Sequence, residues 1–469
     1  MFPTRRKFLE QSGCGFGMLA ASALLATHSG RATASPLVTQ IVPRAKRVIF
    51  LFMQGGISQV DSFDHKPILE KQDGQMIGFD DARVLANTGK RGSTHRVMQS
   101  PWRFRPYGES GHRVSDLFPN IGQRVDDLCF IHSMHTDGVA HGPATLFMHC
   151  GSTNMVRPSI GSWILYGLGS ENENLPGFVS ITPSIGNGGA RNYGNAFLPA
   201  RAQGTAIGRA SDKSDQLAMK DLDEHLTTLE VRHRRLRLVQ EINESQLRNR
   251  AMDSELDAAT ESFDLAWRMQ TQAPDVFDLN RESQATLKMY GIGSAPTDAF
   301  GRKCLLARRL CESGVRFVQV NYGDDSANPA WDQHSNLPKH EEHARSVDRP
   351  VAGLLADLKQ RGLLEDTIVW FGSEFGRTPY AEKNGTGRDH NPGGFTVWLA
   401  GGGVKPGMTF GKTDEFGHQG IQDKVHMHDL HATILHLLGV DHEQLTYRYS
   451  GRNFRLTDVY GRVVRDVLS

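Results

Sequence analysis

The apolar positions of this chain gather into short unbroken runs. The first is Arg47–Met53 (RVIFLFM), which stops at Gly55-Gly56. Similar runs recur at Leu128–His132, Gly177–Ile181, Val315–Asn321, Thr367–Phe371 and Phe395–Ala400. A strand that is apolar at nearly every residue is one covered on both faces, which is how strands of a parallel sheet read. Between the runs lie segments with apolar residues every three or four positions, such as Arg345–Arg361, which predict covering helices. The alternation predicts an α/β fold: a mostly parallel sheet with helices on both faces. From about Ser211 to Met269 the rhythm changes to a charged stretch nearly free of glycine and proline, with apolar residues at helical spacing. It predicts a long helical insertion over 211–270, whose charges form a solvated face.

The amino terminus departs from both patterns. Thr4-Arg5-Arg6-Lys7-Phe8-Leu9 is followed by a glycine- and alanine-rich apolar stretch from Gly13 to Ala26, and then by Ala32-Thr33-Ala34. Basic segment, apolar segment and small-residue cleavage site are the three parts of an export signal, and the paired arginines mark the twin-arginine (Tat) route. The apolar stretch is too short and too rich in glycine to span a bilayer well. The expected organisation is a signal segment over 1–34, cleaved near Ala34, and one α/β domain over 35–469. The mature chain is then periplasmic or extracellular, with no integral membrane domain.

Composition narrows the chemistry. Of 469 residues, 38% are hydrophobic and 22% charged, a balance that supports a substantial core. Lysine plus arginine number 53 against 52 acidic residues, and no basic stripe stands out, so nothing suggests a nucleic-acid partner. Cys14 lies in the signal segment. Cys129, Cys150, Cys304 and Cys311 form no CxxC pair and no zinc spacing; Cys129, in an apolar run, reads as a buried thiol, and a disulfide between two of the others stays open in an oxidising compartment.

Ligands of open α/β sheets gather at the carboxyl ends of the strands. Four sequence clusters fall there. Behind the first run, Gly55-Gly56 precede Ser58, Asp61 and Asp64, which offer either an anion-facing turn or aspartates that cap the next element. After the second come His135-Thr136-Asp137 and His141-Gly142-Pro143, unusually rich in groups that bind metals or transfer protons. Trp331-Asp332-Gln333-His334 puts Asp and His two apart, on one side of an extended loop, where both can grasp one cation. The fourth cluster is the densest in chemistry. Gly372-Ser373-Glu374-Phe375-Gly376-Arg377-Thr378 is followed by Gly387-Arg388-Asp389-His390, a supply of both metal ligands and an anion clamp. His426, His428, Asp429 and His431 open an apolar helix, where Asp429 reads as a cap and the histidines as packing residues.

Together these residues resemble the Tat-exported family catalogued as domain of unknown function 1501, whose members look like distant relatives of the alkaline phosphatase and sulfatase superfamily. The resemblance is carried over nearly the whole mature chain by IFLFMQGGISQVDSFD, MHTDGVAHGPATLFMHCGS, GSEFGRTP, GRDHNPGGFTVWLAGGGVKPG and HMHDLHATILHLLG. It implies an alkaline-phosphatase-like fold. Sulfatases carry C-x-P-x-R leading to a small Thr-Gly. Here His141-Gly142-Pro143-Ala144-Thr145 leads to Cys150-Gly151, with His141 at the nucleophile position and Thr145 at the arginine position. Formylglycine chemistry is therefore not supported, and Gln54 stands where the superfamily usually has a metal-binding Asp. Asp332 and His334 look like the ligands of one metal, Glu374 like a second-metal carboxylate, and Asp389-His390 like the last ligand pair.

The resemblance implies a metal-dependent hydrolase of phosphate or sulfate esters. Its metal ligands would be Asp332, His334, Glu374, Asp389 and His390. His141 would act as base, ligand or nucleophile, and Arg377 would steady the anionic group. The cofactor would be a divalent metal (zinc, manganese or calcium), and the substrate a small anionic ester or a sulfated or phosphorylated glycan. The alternative is a catalytically inactive exported binding or scaffold protein that keeps the fold.

Overall fold

In the computed structural model, residues 41–79, 94–212, 275–382 and 385–469 are described, together with the isolated residues 234, 238 and 241. The expected signal segment over 1–34 lies outside the described residues, as does nearly all of the predicted insertion over 211–270. Arg234, Leu238 and Glu241, which fall within that insertion, are helical and exposed.

Among the described residues, nine strands make the main sheet: β1 (Arg47–Met53), β2 (Leu128–His135), β3 (Phe178–Ile181), β4 (Thr205–Ile207), β5 (Phe317–Tyr322), β6 (Thr367–Gly372), β7 (Phe395–Ala400), β8 (Met408–Phe410) and β9 (Val425–His426). Their order is β8-β2-β7-β6-β1-β5-β3-β4, with β9 also paired to β2. β1 lies between β5 and β6, parallel to both, with Ile49 opposite Val369 on one side and Val318 on the other. β7 alone among the described strands of this sheet is reversed, antiparallel to β6 and β2. The sheet is thus mixed and mostly parallel, and all six apolar runs are strands in it.

Alternate residues of β1 supply the two sides of the core. Ile49, Leu51 and Met53 pack with Phe300, Leu305, Val347, Val351 and Leu354, which belong to α3 (Asp298–Glu312) and α4 (Lys339–Gln360). Val48, Phe50 and Phe52 pack with Phe147, Met148, Trp163, Leu430 and Ile434 on the opposite face. Those residues come from α1 (His141–Cys150), α2 (Ile160–Leu168) and α5 (Met427–Leu437). Burying each such side chain contributes about 1.5–3 kcal/mol, so both faces of every central strand are committed to helices.

The Arg345–Arg361 pattern is realised as the longer α4, which starts at Lys339 and runs through Pro350. A proline inside a helix removes one backbone hydrogen bond, and here the buried row Val347, Val351, Leu354, Leu355 and Leu358 holds the helix together. Cys129, Cys150, Cys304 and Cys311 are buried and free. Among the described residues, no helix is long and apolar enough to cross a membrane.

Candidate metal centre

Every strand that feeds the site delivers it at one edge of the sheet. β1, β2, β5 and β6 end there, and the reversed β7 begins there. Residues just beyond their ends therefore converge: Gly55-Gly56 after β1, His141 after β2, Asp332 and His334 after β5, Glu374 after β6, and His390 just before β7.

Close approach of backbone makes the edge possible. Gly55 and Gly56 adopt φ values of +115° and +83°. A Cβ on Gly55 would stand 2.7 Å from the Asp332 amide nitrogen, and one on Gly56 would stand 2.8 Å from the Phe375 ring. Trp331, fully buried among Phe118, Tyr322 and His340, anchors the loop that carries Asp332 and His334. Arg377 and His390 face each other across a hairpin formed by Gly376–Ala381 and Arg388–Asn391.

Three imidazoles meet one carboxylate. His141 Nε2 lies 3.1 Å from Asp332 Oδ2, and His334 Nε2 lies 3.0 Å from Asp332 Oδ1. His390 Nε2 is 3.4 Å from the same Oδ1 and 3.0 Å from His334 Nε2. One donor atom from each of the four residues fits within a span of 4.8 Å.

The other nitrogen of each ring is occupied. His141 Nδ1 contacts Glu374 Oε1 at 2.7 Å, His334 Nδ1 contacts Glu382 Oε1 at 3.0 Å, and His390 Nδ1 contacts the Val139 carbonyl at 2.7 Å. An acceptor at Nδ1 keeps a proton there, so Nε2 is the nitrogen each ring turns inward, a donor when the ring is protonated and a ligand when it is neutral. His141 Nε2 is buried and makes no aligned hydrogen bond, although the Asp332 carboxylate is 3.1 Å away. His141 Nε2 and Asp332 thus face a common point and not each other. Ligands about 2.0–2.1 Å from one ion at tetrahedral angles stand about 3.3 Å apart, so the donor set fits a divalent cation.

The electrostatics match. Burial alone would lower the pKa of His141, but the Asp332 and Glu374 carboxylates outweigh it and raise the value. Burial opposes ionisation of Asp332 as well, yet His141, His334, His390 and Arg377 hold its carboxyl far below the usual range. Burial lowers His390 to about 4, with Asp332 opposing and the Arg377 charge adding to the fall. Phe375 stacks on His390 with ring centroids 4.3 Å apart and closes that side. The open side is at His334, whose side chain is 32% exposed.

The structure brings His141, Asp332, His334 and His390 into one cluster. Asp389 joins His334 and Glu382 in an adjacent group of three, with Asp389 Oδ1 3.7 Å from His334 Nδ1. Glu374 is fully buried behind His141, and both its oxygens accept from the Gly55 amide at 3.0 Å. Arg377 is also fully buried. It donates to Asp332 Oδ1 at 2.7 Å and to the carbonyls of Gly55, Gly56, Trp331 and Arg388, so each of its guanidinium nitrogens serves a protein oxygen.

The remaining candidates lie elsewhere. Asp61 pairs with Arg388, and Asp64 with Thr413 and Lys66. In α5, His426 and Asp429 form a capping box, while His428 and His431 bond the carbonyls of Gly151 and Met148. Glu382 is the participant that sequence reasoning missed. It directly follows the strand Gly376–Ala381, in the sequence Ala381-Glu382-Lys383-Asn384-Gly385, which carries no signal beyond solvated charge.

A mixed, mostly parallel α/β sheet with a His/Asp donor cluster at its carboxyl edge is thus the class of molecule defined. The family model described as protein of unknown function (DUF1501) matches residues 45–468, and the chain belongs to that family. No curated protein matches it. Similar solved structures include the lipoteichoic acid synthase LtaP from Listeria monocytogenes, at 9% identity and a TM-score of 0.37, covering 88% of this chain and 74% of that one. The PsFucS1 sulfatase from Pseudoalteromonas sp. is similar at 13% identity and a TM-score of 0.37, covering 91% and 71%. The alkaline phosphatase from the Antarctic bacterium TAB5 is similar at 12% identity and a TM-score of 0.31, covering 78% and 94%. These are loose likenesses.

Proposed function

We propose that this protein is an exported, metal-dependent hydrolase of phosphate or sulfate esters, working outside the cytoplasm without a formylglycine. The observation that carries the reading is the convergence of three Nε2 atoms on Asp332, each with its Nδ1 held from behind. His141, Asp332, His334 and His390 would hold a divalent cation. When bound, such an ion supplies a Lewis acid and lowers the pKa of a coordinated water.

The chain's own residues do the rest. Arg377 fixes the Asp332 carboxylate and offsets its charge, a positioning task in place of direct contact with the ester. Phe375 excludes water behind His390. A small anionic ester, or the ester group of a sulfated or phosphorylated glycan, enters on the exposed side of His334. The Tat-type signal at Arg5-Arg6 supports loading of the ion before export, because that route carries folded cargo.

The test is metal analysis of the purified mature chain, with turnover of aryl phosphate and aryl sulfate esters in the presence of zinc, manganese or calcium. Bound metal and turnover are expected, both lost in the Asp332→Ala/His334→Ala variant. No metal and no turnover of either ester class overturns the proposal and favours a binding protein.

A further inference from the structure

Glu374 and Glu382 both stand behind the donor cluster. Glu374 is wholly buried, yet among the described residues its two oxygens have only the Gly55 amide and His141 Nδ1 as hydrogen-bond partners. A buried carboxylate costs several kcal/mol of desolvation unless its partners recover it, so its retention at this position asks for a role. Glu382 makes the equivalent contact to His334 from the rim, where its side chain is 12% exposed. His390 has a neutral counterpart in the Val139 carbonyl.

We infer that Glu374 and Glu382 are positioning residues that lock His141 and His334 in the Nδ1–H tautomer, and that the three-imidazole, one-carboxylate nest so formed selects a zinc-class transition cation over calcium. The inference rests on the proposed metal centre and goes beyond it in naming the cation class and the residues that enforce it. The chemical reason is direct. Imidazole nitrogen suits zinc and its neighbours, whereas calcium takes six to eight oxygen ligands, and this cluster offers oxygen from a single carboxylate. That carboxylate is also partly neutralised by Arg377, which weakens its claim on a hard cation. A carboxylate behind a ligating histidine fixes the ring orientation and raises its basicity, and removing such a partner typically lowers metal affinity by about 10–100-fold.

The measurement is competition between the purified mature chain and a chromophoric chelator for Zn(II), with Co(II) absorption as a second readout and Ca(II) as the comparison. Melting temperatures are taken in excess EDTA. Glu374→Gln and Glu382→Gln keep the side-chain shape and remove the charge. Each is expected to weaken Zn(II) binding about 10–100-fold and to shift the Co(II) absorption. The EDTA melting temperature of Glu382→Gln is expected to stay at the wild-type value, which a merely structural role would not allow.

Should Glu374→Gln fail to fold, Glu382→Gln at the rim carries the test alone. Wild-type binding of Zn(II) that Asp332→Ala abolishes, with both Gln variants binding as wild type, overturns this inference and leaves the metal centre standing. Calcium bound as tightly as zinc overturns the cation class. Failure of the wild type to bind any divalent cation overturns both.

Discussion

The pair Asp61–Arg388 offers a sharp test of how the site is held. Both side chains are fully buried, and the carboxylate receives Arg388 Nε at 2.7 Å and Nη2 at 3.0 Å. Arg388 directly precedes Asp389 and His390, so the pair clamps the strand that presents them. Asp61→Ala leaves the guanidinium buried without its counter-charge. Breaking one side of such a pair costs about 3–5 kcal/mol. The carbonyls of Thr378, Met98 and Gln99 also accept from Arg388 and keep part of its solvation, which places the expected loss near the low end, about 3 kcal/mol. Unfolding entropy is about 2.1 cal/mol/K per residue, or about 0.9 kcal/mol/K for the compact unit Gln40–Ser469, so Tm should fall by about 3 °C. Thermal unfolding followed by near-ultraviolet circular dichroism in EDTA reads this. Asp61→Ala/Arg388→Met should lose less than the sum of the two single variants, because the unpaired charge is gone. A Tm within about 1 °C of wild type for Asp61→Ala, or strict additivity in the double variant, refutes the reasoning.

Three further outcomes are expected. Burial disfavours charge on His334, but Asp332 and Glu382 outweigh it and raise its pKa to about 9, so at neutral pH a proton holds the place a cation would take. Cation affinity should therefore rise with pH up to about 9, and calorimetry in buffers of different ionisation enthalpy should show a proton released; buffer-independent heats refute this. Burial holds His149 and His431 neutral, with pKa values lowered to about 4 and about 3 from 6.5. The unfolded chain takes up those protons first, so this stability is present above pH 6.5 and is lost as pH falls toward the folded values; a urea midpoint unchanged between about pH 7 and pH 4.5 contradicts it. Replacing Arg5 and Arg6 by lysine should retain the chain in the cytoplasm, and fractionation that recovers variant and wild type equally outside the cytoplasm refutes Tat export.

Six of the nine described strands of the sheet were legible because they are mainly apolar on both faces, and two-sided burial leaves little else a six-residue run can be; the short Thr205–Ile207, Met408–Phe410 and Val425–His426 carry no such run. Their ends were less so. β2 continues through Ser133 to His135, beyond its apolar part, because Val425–His426 pairs with it there. α4 starts six residues before its apolar pattern, in Lys-His-Glu-Glu-His-Ala, where the buried His340 and Ala344 continue the helix face. Strand direction was not legible at all. An apolar run such as Phe395–Ala400 reads the same either way, yet its reversal is what brings His390 to the edge where the parallel strands end.

Histidine density alone misleads, and two parts of this chain show why. His426, His428 and His431 sit as close together in sequence as any imidazoles here, but His428 and His431 bond backbone carbonyls, and His426 caps the helix they open. Backbone partners hold one nitrogen of each of these two rings, while their Nδ1 atoms are buried without a hydrogen-bond partner, and among the described residues these histidines do not join a group of converging donor atoms. His141, His334 and His390 come from three separate segments, and their partners are reversed: the acceptors sit behind the rings, and the free nitrogens face one carboxylate and one another. Two imidazole nitrogens 3.0 Å apart repel unless a proton or a cation lies between them. No spacing rule in the sequence distinguishes these two arrangements, because the difference lies in which nitrogen meets the backbone. That choice is made by strand ends, a reversed strand and a pair of carboxylates, of which only the strand ends, and Glu374 as a site carboxylate, could be read in advance.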